Sequence, residues 1–472
     1  MVSTAPSHQG LGSGRSDALD HGVELLLNAW RSFDAPRNFQ PPVTPATRDL
    51  ADEGLPEAGI GPRAALDDAV GVLDQSLSQA RPRYFGYIGS SGLEVAALAD
   101  ALVASHDINL AANSAAADLV ERQTVRWVGD LVGYPATAGI FTSGGMLSNL
   151  TALSAARERA MPGSRIEGTR GRGLVYASTE AHSSIERAVE VLGLGRRALR
   201  GVPIGPDRRM RPDALAELIA ADQAAGRTPM AVVATAGTTL TGTVDPIRAV
   251  AEVCREHGVW LHVDGAYGLP AACVPSAAGL FDGLELADSA ALDAHKWLFV
   301  PKACGVLMVR DKRDLQAAFT HDKSYMPDED GVTNSVDWTL EYSRPFRALK
   351  LWLALRAYGA QAFRDAIGAN LEAAQVLARR VAAHADLELL LPPSLSVVCL
   401  RRIPASGDID AHNAELARAL QADGRVFVTS AVVDGQVCLR PCVVNFRTTL
   451  DDVHGLVDVI REVGGSLDRR QR

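Results

Sequence analysis

Cysteine is scarce in this 472-residue chain, and long apolar runs are missing. The six cysteines are scattered without a Cys-x-x-Cys pair, so neither a disulfide framework nor a zinc site is expected. No stretch reaches the roughly 18 uninterrupted apolar residues of a membrane-spanning helix. Residues 1–14 lack the basic start and apolar run of a signal peptide. The sequence therefore predicts reduced thiols, no metal site, no membrane partner and a cytoplasmic location.

Positive charge is also not in excess, because 47 Lys and Arg stand against 56 Asp and Glu, which gives a formal net charge of −9. A protein that binds a nucleic-acid backbone needs the opposite balance, so nucleic acid is not an expected partner. Hydrophobic residues make up 47% and charged residues 22%, as in an ordinary globular protein. The length predicts about two or three domains, and the composition favours small-molecule chemistry.

Residues 1–85 are interpreted as an N-terminal arm with little core of its own. Residues 1–16 are rich in Ser, Gly and Pro and are predicted to be disordered. Helices are predicted at 17–33 and 64–78, and six prolines between 34 and 62 predict an extended connector. Such an arm needs another surface to pack on, so we interpret it as a possible dimer arm.

Residues 86–358 are predicted to form a large α/β domain. Short apolar, β-rich runs alternate there with helical segments, which is typical of a mostly parallel sheet covered by helices on both faces. The predicted strands are 138–142, 174–177, 231–235, 259–263, 289–292 and 305–309. The predicted crossover helices are 148–159, 184–192, 211–225 and 246–256.

The alternation stops at a polar segment, residues 321–337, which is predicted to be a mobile loop. Residues 359–472 are predicted to form a small C-terminal α+β domain, with a hairpin turn at Asp434 and Gly435. The predicted strands after the loop are 395–401, 426–433 and 437–443. The predicted helices are 346–359, 361–384, 413–422 and 450–463.

Two charged residues follow buried strands of the predicted sheet. Lys296 follows the run 289–292, and a buried lysine is costly unless it loses its charge, for example in a Schiff base with a carbonyl cofactor. Asp264 follows the run 259–263, at the sheet edge where ligands bind, and a pyridinium nitrogen would suit its carboxylate. Taken singly, each also has a structural interpretation: a surface lysine in a turn, and an aspartate that caps the next turn.

A histidine and a glycine pair complete the set. His182 stands just ahead of a predicted helix, with Ser183 or Ser184 as the expected cap. The segment 141–149 runs from a strand through Gly144 and Gly145 into a helix, whose free N–H groups form an anion site. Singly, the histidine is more often structural, and a Gly-Gly turn also serves close packing.

Together the four motifs supply a phosphate cradle, a ring-stacking imidazole, a carboxylate for a pyridinium and an imine-forming lysine. They follow one another at strand ends, in the order needed for one site. That inventory matches the cofactor pyridoxal 5′-phosphate.

The sequence resembles the pyridoxal-phosphate-dependent (group II) amino-acid decarboxylases, in the branch that contains aromatic-L-amino-acid decarboxylase. The resemblance extends from about residue 20 to residue 465 and keeps its order. The segments that carry it are 81–87, 141–149, 176–187, 236–239, 262–264, 295–297 and 346–352. It implies an aspartate-aminotransferase-like fold (fold type I) and a homodimer with active sites at the subunit boundary.

The resemblance also implies roles for individual residues. Lys296 would form the covalent link to the cofactor, Asp264 would hold the ring nitrogen protonated, and His182 would stack on the ring. Ala266 is expected on the opposite ring face and Thr239 near the ring substituents. The expected phosphate neighbours are Ser143, Gly144, Gly145, Met146 and His295. Asp293 stands where animal members carry Asn, so we expect it to hydrogen-bond a neighbour instead of the phosphate.

Tyr325, in the polar loop, matches the residue that the family uses to return a proton after carbon dioxide leaves. Related aldehyde synthases commonly carry Phe there, so Tyr325 favours decarboxylation to an amine over oxidative deamination. Tyr84 and Phe85, with nearby Tyr87, could form an aromatic substrate pocket, although such clusters are more often core. The further candidate substrate residues are Ser343, which matches tyrosine-preferring plant relatives, and Arg347.

The leading hypothesis is therefore a decarboxylase of aromatic amino acids such as tyrosine, phenylalanine, DOPA or tryptophan. Decarboxylation of glutamate, aspartate or 2,4-diaminobutyrate remains an alternative, since the cofactor motifs are shared. So do a related aldehyde synthase, a carbon–carbon lyase and, least favoured, a cofactor-binding protein without turnover.

Overall fold

A computed structural model describes residues 15–33, 42–89, 91–111, 114–321 and 334–470. The helices are α1 Arg15–Phe33, α2 Pro45–Asp52, α3 Pro62–Asp74, α4 Glu94–His106, α5 Ala116–Val132, α6 Gly145–Ala160, α7 Ser164–Glu167, α8 Ser183–Val191, α9 Pro212–Ala224, α10 Ile247–His257, α11 Pro275–Ala278, α12 Ala294–Trp297, α13 Lys312–Phe319, α14 Ala348–Ala382, α15 Ile409–Asp423 and α16 Leu450–Arg470. The strands are β1 Ala138–Thr142, β2 Gly173–Ser178, β3 Leu199–Val202, β4 Thr228–Thr235, β5 Trp260–Asp264, β6 Ser289–Asp293, β7 Gly305–Val309, β8 Leu387–Leu389, β9 Leu400–Arg402, β10 Ser430–Val433 and β11 Gln436–Leu439.

Among the described residues, the large sheet has seven strands in the order β1-β7-β6-β5-β4-β2-β3. Strand β7 runs antiparallel to both of its neighbours, and the other pairs are parallel. Every position of β1, β2, β5, β6 and β7 is buried. Since successive side chains point to opposite faces, both faces of the sheet are covered. The predicted α/β class with a mostly parallel sheet is confirmed.

The register of the parallel strands gathers the predicted motifs at one edge. Thr235 of β4 pairs with Asp264 of β5, and Asp264 pairs with Ala291 near the end of β6. The carboxyl ends of parallel strands meet at one edge of a sheet, where ligands bind in open α/β folds. On the other side of β6, Thr142 at the end of β1 pairs with Gly305 at the start of β7. The sheet thus brings segments far apart in sequence to a common edge.

A second, antiparallel sheet has the order β10-β11-β9-β8. Strands β10 and β11 form the predicted hairpin, with Val433 opposite Gln436. Its turn residues, Asp434 and Gly435, have φ angles of 50° and 79°, as a two-residue type I′ turn requires. Helices α14, α15 and α16 pack around this sheet and enclose a second hydrophobic core.

Helix α14 links the two parts of the molecule. It is helical from Ala348 to Ala382 apart from Gly359, whose φ of 73° and ψ of 159° introduce a kink. The two helices predicted at 346–359 and 361–384 are therefore the two segments of α14, which meet at this glycine. The proposed boundary between the large and C-terminal domains, at 358/359, falls at the kink.

The structure corrects several predicted elements. The connector 34–62 is not wholly extended, because α2 lies inside it; Thr44 caps that helix and Pro45 occupies its first turn. Edge strand β3 was not predicted, and neither was β8, which has three residues. The C-terminal strands predicted at 395–401, 426–433 and 437–443 are shorter, since only their ends pair in the sheet.

The predicted disorder of residues 1–14 and most of the predicted loop 321–337 lie outside the described residues. Arg15 and Ser16, also predicted to be disordered, belong to helix α1. Within the part of the chain that the structure describes, no helix combines the length and apolar character needed to span a membrane.

Candidate active site

A cavity of about 250 Å³ lies at the carboxyl edge of the large sheet. It brings together all ten residues that the sequence proposed as cofactor neighbours: Ser143, Gly144, Gly145, Met146, His182, Thr239, Asp264, Ala266, His295 and Lys296. Further residues of the lining are Asn149, Ser184, Thr235, Gly237, Tyr267 and Asp293. The motifs that strand ends predicted one by one therefore share a single cavity.

The glycine pair lies where β1 gives way to α6. A Cβ atom added to Gly145 would lie 2.8 Å from the Cβ of Ala266, and one added to Gly305 would lie 2.7 Å from the Cα of Gly144. Only glycine allows this close approach of three segments. The first N–H groups of a helix have no partner within the helix, so the start of α6 offers donors for an anion such as a phosphate.

Asp264 ends β5 and is almost completely buried, with 4% of its surface exposed. Its Oδ2 accepts a hydrogen bond from Asn149 Nδ2 at 2.9 Å, and its Oδ1 accepts one from the backbone N–H of Ala266 at 3.2 Å. A buried carboxylate of this kind needs partners, and a cation is the partner that suits it best. Asp264 is therefore fixed in place for a positively charged group in the cavity.

His182 lies beside Asp264 and itself caps α8, which corrects the expectation that Ser183 or Ser184 would do so. The helix begins at Ser183, and His182 Nδ1 accepts a hydrogen bond from Ser184 N at 3.2 Å. Burial lowers the pKa of His182, although the neighbouring Asp264 acts in the opposite direction. The capping bond holds the imidazole in a fixed orientation, and burial favours its neutral form, which suits stacking on a ring.

Lys296 lies on α12, the short helix between β6 and β7. Its Nζ is 3.0 Å from Asp293 Oδ2, and His295 Nε2 lies 3.7 Å from the same oxygen. His295 Nδ1 accepts a hydrogen bond from Cys304 N at 3.1 Å, and burial lowers the pKa of this imidazole. The expectation that Asp293 contacts a neighbouring side chain agrees with this geometry.

Thr239 lies on the loop that follows β4. Buried Arg440, from the C-terminal part of the chain, donates to the carbonyl oxygen of Thr239 at 2.9 Å and to that of Leu240 at 3.2 Å. The C-terminal part thus fixes one wall of the cavity.

The residues proposed for the substrate lie elsewhere in this chain. Tyr84 stacks on Phe427 with 5.1 Å between ring centroids, and Ser343 accepts a hydrogen bond from Asn109 at 3.4 Å. Arg347 donates to both carboxylate oxygens of Glu341, at 2.8 and 2.7 Å. Phe85 is fully buried in the C-terminal core, which agrees with the alternative interpretation of this cluster as core, and its substrate role stays a prediction.

Tyr325 lies outside the described residues. Asn149 also lines the cavity, although its motif did not predict a role for it. The signal was present, since Asn149 follows Gly145 by one helical turn and so faces the same side of α6.

The described lining fits pyridoxal 5′-phosphate. The glycine approach and the start of α6 would hold its phosphate, and buried Asp264 would partner its ring nitrogen. Lys296 would supply the amine that links to its aldehyde, and the imidazole of His182 would cover a ring face. The two hydrogen bonds of Asp264 come from an amide and a backbone N–H, so its negative charge remains for the ring nitrogen.

Comparisons with known proteins lead to the same cofactor as the lining of the cavity. Residues 47–403 match the family model described as the pyridoxal-dependent decarboxylase conserved domain. The chain is 32% identical over 418 residues to aromatic-L-amino-acid decarboxylase of Bacillus atrophaeus, covering 86% of each chain. It is 34% identical over 434 residues to L-2,4-diaminobutyrate decarboxylase of Rhizobium meliloti (strain 1021), covering 89% of this chain and 86% of the relative. The crystal structure of Oryza sativa TDC with PLP and tryptamine superposes with a TM-score of 0.91 and 26% identity, over 98% of this chain and 100% of the other.

Proposed function

The chain belongs to the pyridoxal-dependent decarboxylase family, and from this premise we propose that it converts an aromatic L-amino acid to its amine and carbon dioxide. It is a carboxy-lyase that uses pyridoxal phosphate, with the fold of that family. The observation that carries the proposal is the convergence of Lys296, Asp264 and His182 on one largely buried cavity with a glycine cradle.

The bound cofactor supplies an aldehyde that condenses with amines and a ring that accepts the electron pair released with carbon dioxide. Asp264 would keep a proton on the ring nitrogen, because its fixed negative charge favours the cationic form. Lys296 would hold the cofactor between turnovers and exchange with the amino group of the substrate. Asp293 Oδ2, 3.0 Å from Lys296 Nζ, would orient the lysine amine within the cavity.

Proton return would fall to Tyr325, on the resemblance of its segment to the catalytic loop of the family. A phenolic donor at that position favours the amine as product. An aldehyde synthase remains the alternative in which the same cofactor chemistry ends in oxidative deamination.

The charges of the cavity support an uncharged substrate side chain. No arginine is present among the described residues of the lining, so a second carboxylate, as in glutamate or aspartate, would find no bidentate partner. Of the two carboxylates of the lining, Asp264 accepts from two N–H donors, and Asp293 contacts Lys296 through one oxygen, Oδ2. The Bacillus relative, which acts on aromatic amino acids by its name, points in the same direction.

A second candidate substrate is 2,4-diaminobutyrate, named in the Rhizobium relative. It has one structural argument: Asp293 Oδ1 is buried and accepts no hydrogen bond from the described residues. This oxygen could receive a second ammonium group.

We also propose a cytoplasmic homodimer with shared active sites. Helices α1 and α3 of the arm expose apolar residues, whose exposed fractions lie between 42% and 67%: Leu19, Val23, Leu26, Leu27, Val72 and Leu73. A partner subunit would cover such a surface. The six cysteines are unpaired and buried, as suits a reducing compartment. Light scattering of the purified protein tests the dimer, and a monomer mass at micromolar concentration contradicts it.

The substrate assignment is tested with the purified, cofactor-loaded protein and single amino acids. Tyrosine, phenylalanine, DOPA and tryptophan form one group; glutamate, aspartate and 2,4-diaminobutyrate form the other. Carbon dioxide release gives kcat/KM, and mass spectrometry identifies the product. We expect the highest kcat/KM in the aromatic group, with the amine as product. A maximum for diaminobutyrate establishes the second candidate, and an aldehyde with oxygen uptake establishes the synthase.

A further inference from the structure

A chain of buried polar side chains runs behind Asp264, away from the cavity. Asn149 Oδ1 lies 2.9 Å from His262 Nε2, and His262 Nδ1 lies 2.8 Å from Ser289 Oγ. Ser289 Oγ accepts a further hydrogen bond from the indole N–H of Trp260 at 2.9 Å. All four residues are at most 3% exposed. A polar chain buried this deeply is costly unless each member is satisfied, so its arrangement is constrained.

The direction of each hydrogen bond follows from its partners. Because Asp264 Oδ2 is an acceptor, Asn149 turns its N–H group to Asp264 and its oxygen to His262. His262 must therefore carry a proton on Nε2. Burial lowers the pKa of His262 to about 4, so the ring is neutral at pH 7. Its single N–H is then at Nε2, and Nδ1 is an acceptor. Ser289 then donates to Nδ1 and accepts from Trp260.

We propose that Ser289, His262 and Asn149 act as positioning residues that fix Asp264 as the acceptor for the ring nitrogen of the cofactor. Each bond in the chain leaves one orientation for the next side chain, and the series ends with an N–H donor on Asp264 Oδ2. If Ser289 lost its hydroxyl, His262 could carry its proton on Nδ1 instead. Its Nε2 would then face the oxygen of Asn149 as a second acceptor, and the amide that donates to Asp264 would lose the bond that holds its oxygen.

Other groups near Asp264 do not supply this orientation. The titratable side chains around it are His182, His262 and Lys296, with Asp293 across the cavity. His182 is held by its bond to Ser184 N, and Lys296 by Asp293. Asn149 also donates to Ser184 Oγ at 3.0 Å, which braces the amide but leaves its other N–H group for Asp264. His262 thus supplies the bond to the oxygen end of the amide, opposite the N–H group that meets Asp264.

The inference rests on the cofactor chemistry of the proposed function but not on its substrate. The test compares Ser289→Ala with Ser289→Thr, which keeps a hydroxyl, and His262→Leu with His262→Gln, which keeps an N–H donor. The first readout is the pH at which the visible absorption of the bound cofactor changes. The second is kcat and KM for the best substrate. His412→Gln is the matched control, since His412 is a buried histidine of α15 outside the cavity.

We expect Ser289→Ala and His262→Leu to shift the spectral midpoint by at least about half a pH unit and to lower kcat about tenfold, with KM little changed. For comparison, in metal sites the loss of a residue that orients a metal ligand typically lowers metal affinity or activity about 10–100-fold. Ser289→Thr and His262→Gln should stay much closer to the parent protein in both the spectral midpoint and kcat. If a folded Ser289→Ala matches His412→Gln in midpoint and kcat, the proposal is wrong; if His262→Leu does not fold, the serine pair decides. Failure of every amino acid as substrate leaves the spectral readout intact and so refutes only the proposed function.

Discussion

The cofactor side of the site and its proposed substrate side differ in how the chain builds them. The proposed cofactor residues lie at strand ends, at helix starts or, for Thr239, on the loop after β4, and all of them line one cavity. The proposed substrate residues are dispersed: Phe85 is buried in the C-terminal core, Tyr84 stacks on Phe427, and Arg347 pairs with Glu341. Secondary structure places the first set. Packing between distant parts of the chain, and a partner subunit, would place the second.

The sharpest test of the cofactor side is Lys296→Ala. Removing the amine that links to the cofactor should lower kcat by about 10⁴-fold or more, since covalent catalysis and positioning are lost together. Carbon dioxide release and the visible spectrum measure both effects. A variant that retains the spectrum and the activity of the parent protein contradicts the assignment of Lys296.

Tyr325→Phe tests whether a residue known only from sequence belongs to the site. Loss of the phenolic proton donor should lower amine formation by about 10²–10⁴-fold, as for other general acids, while cofactor affinity is preserved. Amine yield, aldehyde yield and oxygen uptake are measured side by side. Amine production at the parental rate refutes the role of this tyrosine.

Phe85→Ala separates core from substrate pocket. Deleting a fully buried phenylalanine should cost about 3–5 kcal/mol of unfolding free energy. In the protein that remains folded, KM should be unchanged. Chemical denaturation and steady-state kinetics measure the two quantities. A KM several-fold higher with normal stability would return Phe85 to the substrate side.

Acid should destabilise the protein through His262. Its pKa is about 4 in the folded chain and near 6.5 when unfolded, so the unfolded state binds more protons as the pH falls below 6.5. The loss of stability between pH 7 and pH 5 from this residue is about 2 kcal/mol. Urea unfolding of the parent protein and of His262→Gln, at both pH values, isolates it. An equal pH dependence in both proteins contradicts the prediction.

Gly145→Ala probes the cradle with the smallest change. The added methyl group would lie 2.8 Å from the Cβ of Ala266, so the segment must shift and cofactor affinity should fall about tenfold. The matched control is Gly279→Ala, where an added Cβ has no neighbour within 4 Å. Cofactor titration measures both variants. Equal affinities would show that the cradle tolerates a wider turn.

The difference between the two sides of the site also explains which elements and residues could be predicted from the sequence. The six strands predicted in the large domain are all present, because strands buried on both faces are short apolar runs that their composition reveals. The half-exposed edge strand β3 and helix α2 were not predicted, although the Thr44-Pro45 cap of α2 was legible. Asn149 was overlooked because its role depends on His262 and Ser289, which are distant in sequence and meet only through the sheet.

The strand order also has a consequence for synthesis of the protein on the ribosome. Among the strands of the described residues, β1 pairs with β7 alone, with Ala138 opposite Val309. At about 5–20 residues per second, β1 therefore waits roughly ten to thirty seconds for its partner to be translated. The glycine cradle directly follows β1, and Lys296 lies on α12, between β6 and β7. We therefore expect the cofactor site to be completed late in synthesis, when β7 joins β1 to the rest of the sheet.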